Sequence, residues 1–208
     1  MTNKIEIGIN QRIPISILEL ALTATLEDRA SADYFASLAS SEYNGPNRIG
    51  KAVSVINRLT VRNKLLPLMK EHKSDLLSAI RSSYDRPLVF AAVICAAYSF
   101  AYDAVSILGK YFHVQPQVSS TLIIEKMSAK YGANRSLPNG LYCVLPMLIE
   151  AGLLSRPVAG IYEAKRVERV SDFAKDFYRK AFLLYNPNFK ENDDIESNPF
   201  FEFLTKTI

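Results

Sequence analysis

Apolar side chains recur along most of the chain at the three-to-four spacing of helices buried on one face. Ile15, Leu18, Leu22 and Leu26 set one such stripe over Ile15 to Glu27. Ser31 offers the cap of a second helix through Phe35 and Leu38, which Asn44-Gly45-Pro46 ends. Asn47 predicts the cap of a third helix, 48–62. Pro67 interrupts the helical pattern and leaves a separate short helix over 64–73. With Asp85 as its cap, one long apolar helix is expected from Pro87 to about Phe112.

The second half repeats no earlier pattern. Val114-Gln115-Pro116-Gln117 reads as a connector, and Ser119 or Ser120 starts a helix through Lys130. Gly132-Ala133-Asn134 turns the chain, and Ser136 precedes a helix to Glu150 with Leu141, Val144, Leu145 and Leu148 inward. Gly152 suits the left-handed position that closes it. Leu153–Arg156 and Ile161–Ala164 then predict a hairpin turning over 157–160. A last helix, Val167 to Tyr185, carries Val170, Phe173, Phe177, Ala181 and Leu184 on one side and stops at Asn186-Pro187-Asn188. The tail is acidic (Glu191, Asp193, Asp194, Glu196), then aromatic (Phe200, Phe201, Phe203). The predicted fold class is mainly α: a helical bundle with a winged-helix-like segment carrying a short β-hairpin. The divisions are a helical region 1–113 with the basic helix 47–62, a winged-helix-like region 114–185, and the tail 186–208.

Composition narrows the function. The chain has 208 residues, 49% of them hydrophobic, enough for a core that needs no metal or disulfide staple. Cys95 and Cys143 lie in apolar runs and read as buried thiols of a reducing compartment, which places the protein in the cytoplasm. Two histidines, His72 and His113, do not make a His-rich metal site, and no cofactor is expected. Met1 to Gln11 lacks the apolar segment of a signal peptide. Leu88 to Tyr102 is uncharged but too short and too rich in alanine and hydroxyls for a membrane span, so a core helix is the expectation.

The net charge of +4 is modest, but its distribution is not. Counted over 1–42, 43–73, 74–120, 121–180 and 181–208, it runs −3, +6, 0, +4 and −3. Two basic blocks between acidic ends suggest an anionic partner. At about 100° per residue, Arg48, Lys51, Arg58 and Arg62 share an arc of roughly 80°. Ile49, Ala52, Ile56 and Leu59 face the core, while Val55 falls inside the cation arc. Four cations in one stripe need negative charge beside them. Either nucleic-acid phosphates supply it or the acidic residues of the first 42 positions do.

The order helix, turn, helix, hairpin over Ser119 to Ala164 is that of a winged helix. In such modules the start of the second helix meets the major groove. It would present Asn134, Arg135, Asn139 and Tyr142, and the wing would offer Arg156, Lys165, Arg166 and Arg169 to phosphates. Pro146 inside the second helix is expected to kink it near Tyr142. A structural or protein-binding winged helix has the same element order.

Candidates for catalysis are few. Asp103 is an isolated carboxylate in the apolar run, and Asp193-Asp194 lie in the polar tail. A glycine-rich phosphate loop is absent from the sequence. Cys143 and His113 have nothing in the sequence to bring them together. No catalytic residue is assigned, and a non-enzymatic role is expected.

"NRIGKAVSVINRL" (Asn47–Leu59), "PLVFAAVICAAYSFAYDAV" (Pro87–Val105) and "LIEAGLL" (Leu148–Leu154), after a leading amphipathic helix, come in an order that resembles the small BrxA-type component of bacteriophage-exclusion (BREX) defence systems. The resemblance covers residues 15 to 156 and is one of layout. It implies a NusB-like helical fold, DNA binding through the segment with Arg48, Lys51, Arg58 and Arg62, and a non-enzymatic role beside a methyltransferase and ATPases. The tail after Tyr185 departs from the family. The resulting expectation is a double-stranded DNA-binding accessory protein of phage (antiviral) defence, acting mainly through phosphates, with other defence-system proteins as partners. The nucleic-acid-binding residues would be Arg48, Lys51, Arg58, Arg62, Arg135, Asn139, Lys165 and Arg166. The alternatives are a protein–protein adaptor that inserts the aromatic tail into a partner's groove, and a winged-helix transcriptional regulator.

Overall fold

The structure, a computed structural model, describes residues 6–132, 134–190 and 193–205. Ala133 of the predicted turn, Glu191 of the acidic run and Met1 to Ile5 lie outside the described residues. Those described form ten α-helices and one three-stranded antiparallel sheet. The bundle with a small hairpin is therefore the fold class the periodicity predicts. No helix among the described residues is long and apolar enough to cross a membrane.

The first helices are α1 (Ile15–Leu26), α2 (Ala32–Ser40) and α3 (Pro46–Leu59). Ser31 caps α2 by accepting from the Tyr34 N–H at 3.1 Å. Asn47 does not cap α3: the helix begins two residues earlier than the expected Arg48, at Pro46, with Gly45 in the flanking position. It also ends three residues before the expected Arg62, because Thr60 leaves helical geometry. The Thr60 hydroxyl donates back to the Ile56 carbonyl at 2.8 Å. The buried Asn63 amide donates to the carbonyls of Leu59 and Val93, both at 2.9 Å. Arg62 thus stands on a turn, not on the helix.

Two short helices, α4 (Leu66–Glu71) and α5 (Lys73–Ala79), lead to the centre of the molecule. The expected long helix is two: α6 (Arg86–Ala97) and α7 (Ser99–Phe112), separated at Tyr98, whose backbone is extended. Two side chains satisfy the carbonyls released at the break. The Arg58 Nε–H donates to Ala97 O at 3.0 Å, and the Tyr185 hydroxyl donates to Cys95 O at 2.8 Å. The guanidinium also places positive charge at the negative end of the α6 dipole. Every residue of α6 from Pro87 to Ala97 is buried. Asp85 does not cap α6; its carboxylate accepts from the Ser171 N–H at 2.8 Å and ties down the start of α10 (Asp172–Leu183).

The winged-helix-like segment is β1 (Gln117–Ser119), α8 (Ser120–Tyr131), α9 (Leu137–Ala151), β2 (Leu154–Val158) and β3 (Ile161–Ala164). The strand order is β1-β3-β2, all antiparallel, with Val118 opposite Tyr162 and Leu154 opposite Ala164. β1 replaces part of the expected connector. Its three residues carry one buried side chain, Val118, too short a run for an alternation to register. Ser119 caps α8, and Gly152 closes α9 in left-handed geometry. Pro146 does not interrupt α9, which runs helical through it.

The last predicted helix starts five residues late. Val167 instead exchanges backbone hydrogen bonds with Phe203 and Thr205, and Arg169 is left-handed (φ 56°). Ser171 then caps α10. The aromatic tail does not project. Phe200, Phe201 and Phe203 are buried in the same core as α6 and α7, and Phe200 stacks on Tyr178 at a centroid distance of 4.4 Å. In this docked position its rings lie inside the molecule and are not presented to a partner's groove.

Candidate nucleic-acid interface

The non-helical segment 6–14 lies between the basic helix α3 and the uncharged first half of α9. At one end, Ile7 and Gly8 lie between the last turn of α3 and the first turn of α9. A Cβ on Gly8 (φ +70°) would stand 3.0 Å from the Arg58 guanidinium, and one on Gly140 would stand 2.5 Å from Ile7 Cγ2. At the other end, the Arg12 guanidinium pairs with Glu150 near the close of α9 at 2.9 Å. The Arg12 carbonyl accepts from the Tyr43 hydroxyl, and the Arg48 guanidinium lies 5.6 Å from the Tyr43 ring centre. α3 and α9 therefore run antiparallel on either side of residues 7–12. With consecutive Cα atoms 3.8 Å apart, the Arg58 guanidinium and the Gly140 backbone are at most roughly 15 Å from each other.

Asn139 and Tyr142 face outward along the first half of α9, Arg135 stands on the turn before it, and all three are exposed. Tyr142 is 67% exposed. Farther along that face Glu150 is occupied: it pairs with Arg12 and accepts from the Ile15 N–H at 3.0 Å, capping α1. The wing packs against α9 through β2, and burial raises the Tyr162 pKa while the Arg156 charge opposes the rise.

The first 42 residues do not neutralise the α3 cations. Glu19 pairs with Arg86, Asp28 with Lys70, Glu27 with Arg29, and Glu42 with Arg12. Arg48, Lys51, Arg62, Arg135, Arg156 and Lys165 have no ion-pair partner among the described residues, and all six are exposed. Arg58 is different. Its Nε–H is committed to Ala97 and its guanidinium lies 4.4 Å from the Tyr98 ring centre, so it fastens α6 while sitting at the rim of the basic face. Arg166 is committed as well: it donates to Glu202 at 2.6 Å. Glu202 is buried and also meets His113 Nδ1 at 3.1 Å, so Arg166 joins the wing to the C-terminal segment. Asn134 accepts from the Ser136 N–H and shapes the turn before α9.

Sequence reasoning missed Lys64. Its ammonium lies 4.7 Å from the Tyr185 ring centre, beside the α6–α7 break. The pairing rests on residues 121 positions apart, and no local pattern announces it.

The catalytic candidates are absorbed by ordinary contacts. Asp103 accepts from Lys130 at 2.7 Å and from the Tyr131 hydroxyl at 2.6 Å. Burial pushes the Cys143 thiol up to about 11, away from nucleophilic form. A cleft of about 710 Å³ beside residues 167–170 carries the carboxylates of Glu168, Asp194 and Glu196 against Arg169 and Lys175. Among the described residues no cluster of three metal-ligating side chains occurs. No family model, curated protein or solved structure matches the chain.

Proposed function

We propose that this chain is a non-enzymatic double-stranded DNA-binding protein that lays the first half of α9 in the major groove. Arg62 just past the α3 end nearest the start of α9, Lys51 and Arg48 farther along α3, and Arg156 and Lys165 on the wing would meet phosphates. The observation that carries the reading is the exposed face of α9 at Asn139 and Tyr142, on a molecule with six exposed cations that no carboxylate of the described residues neutralises. Cations held apart in this way repel one another, and phosphates relieve that repulsion while releasing counterions. The helix-turn-helix arrangement of α8 and α9 has the element order that places such a helix in a groove. A cytoplasmic place beside the other proteins of a BREX-type defence system belongs to the same proposal and rests on the resemblance in layout. A methyltransferase gene and ATPase genes beside this one would support it.

Salt-titrated fluorescence anisotropy on duplex DNA tests the reading. Reversing Lys51 and Arg62 together (Lys51→Glu, Arg62→Glu) should weaken binding at least about tenfold and flatten the dependence of log affinity on log salt by about 2. Both side chains are exposed and unpaired, so the thermal midpoint should not move by more than a degree or two, as expected of surface changes. Unchanged binding by this variant would sink the reading. Arg58 is unsuited to the same test, because its loss uncaps α6.

A further inference from the structure

We propose that α9 reads base edges: Asn139 recognises adenine in the major groove and Tyr142 packs on the thymine methyl of the neighbouring pair. The preferred duplex then carries two adjacent A·T pairs. This rests on the placement of α9 just proposed.

Three features converge on it. Asn139 and Tyr142 are exposed neutral side chains on a helix that carries no Lys or Arg, so they add nothing to phosphate attraction. Neither side chain makes a hydrogen bond within the described residues, and Tyr142 keeps most of its surface in solvent. They stand three residues apart on one helical face, about 4.5 Å along the axis, close to the 3.4 Å step between base pairs. The start of α9 is also held firmly. A Cβ at Gly140 would stand 2.5 Å from Ile7 and 2.9 Å from Phe100, so glycine lets this turn lie tight on the core. The backbone that carries these side chains is therefore already in place before binding, and only their rotamers remain to be ordered.

The chemistry selects the base. The Asn139 amide sets a donor beside an acceptor, matching N7 and the N6 amino group of adenine. Guanine offers acceptors at both places and would face the amide oxygen with O6. A ring against the C5 methyl separates thymine from cytosine.

The test uses the full-length protein. A pool of duplexes with a randomised centre is bound at fixed salt, and the retained fraction is sequenced. Neighbouring A·T pairs should be enriched. Duplexes carrying A·T, G·C or inosine·cytosine at the selected pair are then compared by anisotropy. A·T should bind about tenfold tighter than G·C. Inosine·cytosine should behave like G·C, because inosine keeps guanine's major-groove face and lacks only its minor-groove amino group. Asn139→Ala should bring the A·T duplex down to the G·C level. Tyr142→Ala should abolish sensitivity to replacing thymine by uracil, with the circular dichroism spectrum unchanged in both variants. Equal binding of all three duplexes overturns the base readout and leaves DNA binding standing. So does an inosine·cytosine duplex that binds like A·T, or a preference that survives Asn139→Ala. If wild-type protein retains no duplex at low salt, DNA binding itself fails and base reading with it.

Discussion

Arg58 shows how one side chain can be legible by type and misread by role. Its helical position puts it in the cation stripe, and it lies at the rim of that face. Its Nε–H, however, closes α6 at the Ala97 carbonyl, 39 residues away. A charged donor on a helix end contributes about 1–3 kcal/mol. Arg58→Ala should therefore lower stability by roughly 1.5 kcal/mol in urea unfolding, while Arg62→Ala leaves the midpoint unchanged. Equal midpoints for the two variants would contradict the cap. Arg166 is the parallel case on the wing, where buried Glu202 claims it. In both, a sequence identifies a cation but not the buried acceptor that folding brings to it.

Among the elements, the α6–α7 break and the docking of the C-terminal segment depend on close approach. A Cβ on Gly109 would stand 1.9 Å from the Pro199 carbonyl oxygen and 2.8 Å from its carbon. Gly109→Ala must push the 3-10 turn Pro199–Phe201 off α7 and open the Phe200 contacts. It should cost about 2 kcal/mol or more, as overpacking does, and raise the rate of proteolysis after residue 190. An alanine variant as stable as wild type would show that the segment does not lie there. The apolar periodicity of α1 and α9 is legible because each buries one face. The break at Tyr98 is not, because α6 is buried all round and its composition runs on unchanged into α7. β1 escapes for the opposite reason: three residues with one inward side chain give no period.

Over the whole molecule, buried acids govern the response to alkali. Burial pushes Tyr98 from 10.0 up to about 12 and Cys143 from 9.0 up to about 11. It also raises the Cys95 thiol and the Tyr178 hydroxyl. The folded state keeps these protons while the unfolded chain releases them, so above pH 9 the folded state binds more protons. Stability then falls as pH rises, first for Cys143 between about 9 and 11, then for Tyr98 between about 10 and 12. The urea midpoint should be level between pH 7 and 8 and drop steadily by pH 11. A midpoint that holds to pH 11 would mean these groups are not buried. Iodoacetamide should label Cys143 slowly at pH 8 compared with the urea-unfolded chain.

The sequence by itself determined the mainly helical class, the capped starts of α2 and α8, the left-handed close of α9, the hairpin and the two basic blocks. These come from periodicity, turn chemistry and charge, which act over a few residues. Tertiary structure alone decided which cations remain unpaired. It set α3 and α9 antiparallel across residues 7–12, spent Arg58 and Arg166 on buried acceptors, and drew the aromatic tail into the core. Ion pairs, caps from distant side chains and close packing at glycine are contacts between residues tens of positions apart, and only the folded chain brings them within a few ångströms.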